Sequence, residues 1–259
     1  MPIKFDPQAE PANKILCIGG STYNEGTPQI ISQLLRNTNF LNDWAVIFAN
    51  HLYLEMDMDK VNIQTIKICQ DFKEIASRLI LVKDVLNYPI QKGYFYVLPD
   101  SSWCQDKLIR IYTRIINKEN ILTIESSGSE EILEEDYRYN PEDSSLGYTH
   151  LYLPCIDKIM IQISTNHAGK VAGLLLAGLG NDGAQGMLAI KQKGGETAVQ
   201  NPKECCHFIR GRETSSMPEA AIKEAENYKL HHQIISLNTD SQSVSDEIKS
   251  LNQWLESIK

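Results

Sequence analysis

The stretch Lys170–Ile190, KVAGLLLAGLGNDGAQGMLAI, limits the possible folds more than any other part of the chain. It begins with Val171–Ala177, an apolar run that holds no charge. Such a run reads as a strand buried on both faces, as in parallel sheets, or as the start of a buried helix, because periodicity alone does not separate the two. Gly178, Gly180 and Gly183 come next, with Asn181 and Asp182 between the last two. Glycine accepts positive φ and close backbone approach, so the chain turns sharply here. Between Ala184 and Lys193 the apolar Met187, Leu188 and Ile190 follow helical spacing. Strand, tight turn and helix place Asp182 at the carboxyl end of a central strand. In open α/β sheets that edge is where ligands and chemistry collect.

The same grammar runs through the rest of the chain. Lys14–Gly19 (KILCIG) reads as a buried strand, Gly19-Gly20-Ser21-Thr22 as a turn, and Pro28–Arg36 as a helix with Ile30, Ile31, Leu34 and Leu35 apolar. Trp44–Ala49 (WAVIFA) is a second buried strand and ends at Asn50-His51. Right-handed crossovers between parallel strands bring both strand ends to one edge. Leu52–Asp71 stays open between a strand and an excursion. Ile80–Val85 and Tyr94–Leu98 read as strands, and Leu108–Ile116 with Ile121–Ile124 as a hairpin. Ser126–Tyr148 is acidic and turn-rich and reads as a long surface loop, a class that is often functional. Cys155–Ala168 is a helix led by Pro154, Thr197–Gln200 a strand, Asn201–Ser216 a loop and Met217–Asn227 a helix opened by Pro218. Gln233–Leu237 is predicted as the last strand and Ser241–Ile258 as a terminal amphipathic helix. The expected fold is a doubly wound α/β domain: a mostly parallel sheet with helices on both faces, in three layers. One such domain is expected over residues 14–259, behind a loose leader at 1–13.

A formal net charge of −8 argues against non-specific binding to nucleic acid or to an anionic membrane. The longest apolar run is far too short to span a bilayer, and no charged, apolar leader marks a signal peptide. Six cysteines without framework spacing read as reduced thiols of a cytoplasmic protein. Cys205-Cys206-His207 and His231-His232 lack the usual spacing of zinc ligands, so no metal is expected there.

Two alternatives surround the glycine turn. Gly178-x-Gly180-x-x-Gly183 fits the dinucleotide fingerprint literally, with Glu196 near the distance of a ribose-binding acid. Asp182, however, would place a carboxylate where the pyrophosphate sits. Asp182 could instead be no more than the N-cap of the following helix. Ser21 reads equally as a cap, and His51 as an ordinary histidine, when each is taken alone. Together, three separate strand ends deliver Ser21, His51 and Asp182, the set needed for nucleophilic acyl transfer. The order Ser, His, Asp differs from that of the α/β-hydrolases and of the chymotrypsin and subtilisin types, and no GxSxG elbow is present.

Gly19-Gly20-Ser21-Thr22, Asn50-His51 and Ala177-Gly178-Leu179-Gly180-Asn181-Asp182-Gly183-Ala184-Gln185-Gly186 resemble the catalytic domain of chemotaxis protein-glutamate methylesterases. Tyr96-Val97-Leu98-Pro99, Pro154-Cys155-Ile156-Asp157, Gln200-Asn201 and Met217-Pro218 match further blocks in the same order. The resemblance implies Ser21 as nucleophile, His51 as general base and Asp182 as orienting acid. It further implies that the backbone amides of Thr22 and Leu179 serve the oxyanion, and that no cofactor is needed. The implied substrates are methyl esters on glutamates of chemoreceptor cytoplasmic helices, with glutamine deamidation open to the same chemistry. The chain departs from the family after Ser-Thr (Tyr23-Asn24-Glu25-Gly26), after the histidine (Leu52–Met56), ahead of Pro154 and at Ser216. Those departures leave open a non-catalytic binding module on the same fold. No receiver domain is expected ahead of the catalytic domain, so control by phosphorylation within this chain is not expected, and a separate receiver protein stays open as a partner.

Overall fold

The structure, a computed structural model, describes residues 10–20, 39–50, 79–82, 87–98, 101–104, 107–119, 121–129, 155–178, 180–205, 208–209, 212–213, 216–237 and 248–259. Its strands are β1 (Lys14–Gly20), β2 (Ala45–Asn50), β3 (Leu79–Leu81), β4 (Asn87–Pro89), β5 (Phe95–Leu98), β6 (Ser101–Cys104) and β7 (Lys107–Lys118). They continue with β8 (Ile121–Ser129), β9 (Lys170–Leu175), β10 (Glu196–Gln200), β11 (Phe208–Ile209), β12 (Arg212–Glu213), β13 (Gln233–Ser236) and β14 (Ile248–Ser250). The helices are α1 (Ile156–Asn166), α2 (Ala184–Gln192), α3 (Met217–Glu226) and α4 (Leu251–Ile258).

Eight strands form one sheet in the order β14-β13-β10-β9-β1-β2-β5-β3, and every neighbouring pair is parallel. The chain first builds outward from β1 through β2, then returns to the other side of β1 with β9 and builds outward to β14. The direction of winding therefore reverses between β1 and β9. That is the topological switch point, and the crevice beyond the carboxyl ends of these strands is the natural ligand site of such a sheet. A four-stranded antiparallel sheet, β4-β8-β7-β6, lies beside it and packs β7 on α1, with the Ile115 amide donating to Gln162 Oε1 at 2.6 Å.

The alternation of side chains along β1 sorts the core into two clusters. Ile15 and Cys17 join Ile156, Ile159, Met160 and Ile163 of α1, Met187 and Ile190 of α2, and Met217 and Ala221 of α3. Leu16 and Ile18 face the opposite way, into a cluster with Phe40, Trp44 and the Leu251, Trp254, Leu255 and Ile258 stripe of α4. Helices thus cover both faces, as the sequence predicts, and the buried runs of β1, β2 and β9 are apolar on both sides for that reason. Each fully buried aliphatic side chain contributes about 1.5–3 kcal/mol. Gly173 lets α2 press onto β9, since a Cβ there would stand 2.7 Å from Met187 Sδ.

Several expectations need correction. Glu10–Asn13, assigned to the loose leader, are tied to the body: Ala12 donates to the Ile90 carbonyl at 3.0 Å and Lys92 to the Glu10 carbonyl at 3.0 Å. The predicted loop at Ser126–Tyr148 starts later, because β8 runs on to Ser129 opposite β7. The predicted loop at Asn201–Ser216 contains the antiparallel pair β11 and β12. Within the predicted helix Ser241–Ile258, Ile248–Ser250 form a strand, β14, followed by a helix that starts at a capping box of Ser250 and Gln253, and residues 241–247 lie outside the described residues. Pro28–Arg36, Leu52–Asp71 and the rest of the acidic loop lie outside the described residues.

The His231-His232 pair is exposed at one residue only. His231 is exposed but His232 is buried, with Nδ1 at 2.8 Å from Thr197 Oγ1. Burial first, and then the Lys191 ammonium, push the imidazole down to about 4. The unfolded chain binds this proton near the ordinary value of about 6.5, so unfolding takes up a proton between the two values. Stability is therefore complete at pH 7 and is lost as pH falls from about 6.5 towards 4. The expected loss through this one group is about 3 kcal/mol at pH 4. Chemical denaturation of the parent chain and of His232→Gln at pH 7 and pH 4.5 checks it: the variant should lose less stability on acidification, and equal losses would reject the assignment.

Candidate active site

The loop after β9 is held from several sides. The Leu176 amide donates to the Gly19 carbonyl of β1 at 2.8 Å, and the Ala177 amide to Gln200 Oε1 at the end of β10 at 2.8 Å. The Met217 amide, at the start of α3, donates to the Gly178 carbonyl at 2.9 Å. Gly180 and Gly183 then turn the chain at φ 88° and 95°, a region that a residue with a Cβ rarely adopts.

Asp182 lies between these two glycines and is 2% exposed. It is not the cap of the helix it precedes: Gly183 holds that position and has no side chain to cap α2. The carboxylate instead reaches across to α1. Oδ2 accepts from the Ile156 amide at 2.8 Å and Oδ1 from the Asp157 amide at 2.9 Å, while the Cys155 thiol donates to Oδ1 at 3.8 Å. The first amides of a helix have no intrahelical acceptor, and the positive end of the helix dipole favours an anion there. A buried carboxylate carries its charge without penalty only when such donors surround it. Their geometry fixes the plane of the carboxyl group, which is what an orienting acid needs. A carboxylate offers about four lone-pair sites, so these donors and an imidazole N–H can share it.

Close backbone approach makes the arrangement possible. A Cβ on Gly183 would stand 2.6 Å from Leu175 Cδ1 and 3.1 Å from Ile156 Cγ2, and one on Gly19 would stand 2.6 Å from the same Ile156 methyl. The first residue of α1 is thus wedged between the end of β1 and the Asp182 turn.

Of the predicted site residues, Ser21, Thr22, His51 and Leu179 lie outside the described residues. The strand ends that lead to them are described. β1 ends at Gly20 and β2 at Asn50, and the two are register partners; Gly19 pairs with Leu175 at the end of β9. Asp182 therefore follows the strand next to β1, and β1 and β2 end side by side on that same edge.

The register also answers the dinucleotide alternative. Glu196 opens β10 opposite Ala172, at the amino end of the strand, where Lys191 pairs with it at 3.9 Å. That end is the edge opposite the glycine turn, out of reach of a ribose held at Gly178–Gly183. Among the described residues no group of three or more His, Cys, Asp or Glu is arranged to hold a metal ion. No helix among them is long and apolar enough to cross a membrane.

Sequence reasoning missed the roles of two residues within blocks it had quoted. Gln200 anchors the loop at Ala177, and Asp157 is fully buried. The readable signal was a charged or amide side chain inside an otherwise apolar stretch, which predicts a specific partner.

The CheB methylesterase family model matches residues 16–237. Among similar proteins, protein-glutamate methylesterase/protein-glutamine glutaminase 2 of Vibrio vulnificus is 36% identical over 70 residues, 27% of this chain and 18% of that protein. The enzyme of that name from Escherichia coli K12 is 38% identical over 64 residues, 25% of this chain and 18% of its own length. The Moorella thermoacetica protein is 32% identical over 77 residues, 30% of this chain and 16% of its own. The chain thus spans less than a fifth of the length of these curated relatives. The crystal structure of the Thermotoga maritima CheB methylesterase catalytic domain superposes with a TM-score of 0.54 at 16% identity, covering 87% of this chain and 93% of that one. At that identity the likeness speaks for the fold.

Proposed function

The chain belongs to the CheB methylesterase family, and from that membership we propose that it is a protein-glutamate methylesterase of the cytoplasm. Its substrates are methylated glutamates on the cytoplasmic helices of chemoreceptors. The observation that carries the reading is the strand order β9-β1-β2, with Ser21 and His51 next in sequence to Gly20 and Asn50 and with Asp182 buried beyond β9. Neighbouring parallel strands end on one edge, which supports a reading in which the three groups share one crevice.

Ser21 Oγ attacks the ester carbonyl as His51 takes its proton. The amides of Thr22 and Leu179 serve the tetrahedral oxyanion, a role in which preorganised donors stabilise the developing charge. His51 gives the proton to the departing methanol, and the acyl group stays on Ser21. His51 then takes a proton from water, whose oxygen attacks the acyl carbonyl; collapse returns the proton to Ser21 and frees the glutamate. Asp182 holds the imidazole in the correct tautomer and stabilises the imidazolium. Glutamine deamidation follows the same path with ammonia as the leaving group. Residues 14–259 act as one catalytic domain.

The test is methanol release from methylated receptor membranes, with a serine-directed phosphonate as inhibitor. The expected result is steady release that stops when one phosphonate is bound per chain, on the peptide that carries Ser21. Release without such labelling would overturn the mechanism, and labelling without release would overturn the substrate.

A further inference from the structure

Asp157 is 0% exposed, and a buried carboxylate in a helix needs a reason. Its Oδ1 accepts from the Gly186 amide, in the first turn of α2, at 2.7 Å. Asp182, four residues before Gly186, in turn accepts from the Asp157 amide at 2.9 Å. The two aspartates therefore cap each other's helices: Asp182 closes the start of α1, and Asp157 closes the start of α2. The links form a ring, from the Asp157 amide to the Asp182 carboxylate, along the chain to the Gly186 amide, and back through the Asp157 carboxylate. The Ile156 and Asp157 amides hold the Asp182 carboxyl group against α1, and the Asp157 carboxylate holds the start of α2, next to the turn that carries Asp182, against the same helix end. The helices touch at this point, since a Cβ on Gly186 would stand 2.6 Å from Met160 Cβ and 3.2 Å from Asp157 Cα.

We propose that Asp157 is a positioning residue of the esterase reaction, which sets the carboxylate plane of Asp182 through the Gly186 amide. The inference rests on the assignment of Asp182 as the orienting acid. Without the Asp157 carboxylate the first turn of α2 loses its anchor. Asp182 then turns with it, and the imidazole tautomer and tilt are less well held. Misplacement of an orienting group acts on the chemical step and leaves substrate binding alone.

The experiment is a double-mutant cycle on methanol release from methylated receptor membranes, with active chains counted by phosphonate titration. Asp157→Ala should lower kcat by about 10–100-fold and leave KM within about twofold. Asp157→Asn keeps an acceptor for the Gly186 amide and should stay within about fivefold of the parent. In an Asp182→Asn background, Asp157→Ala should cost less than about a further twofold, because its route of action is already cut. Equal losses in both backgrounds, or a kcat unchanged in Asp157→Ala, would overturn the proposal. Asp157→Ser, polar but too short to reach Gly186 well, carries the same cycle if the alanine variant does not fold. Absence of phosphonate-sensitive release in the parent chain would overturn the esterase reading, and the inference with it. Phosphonate-sensitive release that ignores Asp157 overturns the inference alone.

Discussion

Ser21→Ala should release methanol from methylated receptor membranes about 10⁶-fold more slowly than the parent chain, the loss seen when a triad serine is removed from a comparable hydrolase. The size follows from the mechanism. Without Oγ no acyl-enzyme forms, and water must attack the ester carbonyl directly, in place of a nucleophile held against it. What survives is the rate that an oxyanion site and substrate binding supply by themselves, about 10³–10⁴-fold over water for such enzymes. The fold should not change. Ser21 follows Gly20, the last residue of a strand paired on both sides, and strand pairing does not depend on the next side chain. Methanol release and thermal unfolding on one preparation check both halves. An unfolding midpoint within about 2 °C with no measurable release is the expected pair, and release near the parent level would remove Ser21 from the chemistry. Phosphonate labelling of the same peptide should vanish as well, because an alanine offers no nucleophile.

Much of this was legible before the coordinates. The uncharged runs at Ile15–Ile18, Ala45–Ala49 and Val171–Leu176 announced strands buried on both faces, and the sheet places all three at its centre. The glycine turn after β9 was legible because positive φ at Gly180 and Gly183 needs glycine. The elements that escaped are those whose signal is weak or lies elsewhere. β14 escaped because Ile248 and Leu251 keep a spacing that also suits a helix, and pairing with β13 decides between the two. The capping box at Ser250 and Gln253 was a local signal for the true helix start, and it outweighs periodicity there. β11 and β12 are a two-residue pair each, below any period that a sequence can display.

The role of Asp182 shows a different limit. Its position before Gly183 looks like a local N-cap, and the residue does cap a helix, but one that begins 26 residues earlier in the chain. Local grammar found the right chemistry for the side chain and the wrong partner. Only the packing of α1 against α2, through Gly186 and Met160, joins the two. Functional residues tend to escape in this way, because their partners are chosen by tertiary contact and carry no fixed spacing.

If Asp182 also orients His51, as proposed, it is the second critical position, and two substitutions should separate the two roles. Asp182→Asn should slow methanol release by about 10⁴-fold, the loss measured when a triad aspartate becomes asparagine and the imidazole takes the wrong tautomer. It should also destabilise the chain. Both carboxylate oxygens accept backbone amides, from Ile156 and from Asp157, and a carboxamide has only one oxygen. One helix amide would then face an NH₂ group, a buried clash of donors that costs about 1–3 kcal/mol. For a domain of this size, that lowers the unfolding midpoint by roughly 2–4 °C per kcal/mol. Asp182→Ala removes both acceptors and leaves two buried amides without partners. Its stability loss should exceed that of the asparagine variant, at about 2–5 kcal/mol, while its rate should be no better. The informative outcome is the mismatch between the two scales. If rate and stability fall together in proportion across both variants, Asp182 works only as the cap of α1. If asparagine removes nearly all the activity while keeping most of the stability, the carboxylate acts on the imidazole as well as on the helix. Kinetics and chemical denaturation on the same preparations distinguish these, and the second pattern is expected because the cap tolerates one lost acceptor, whereas the imidazole tautomer does not.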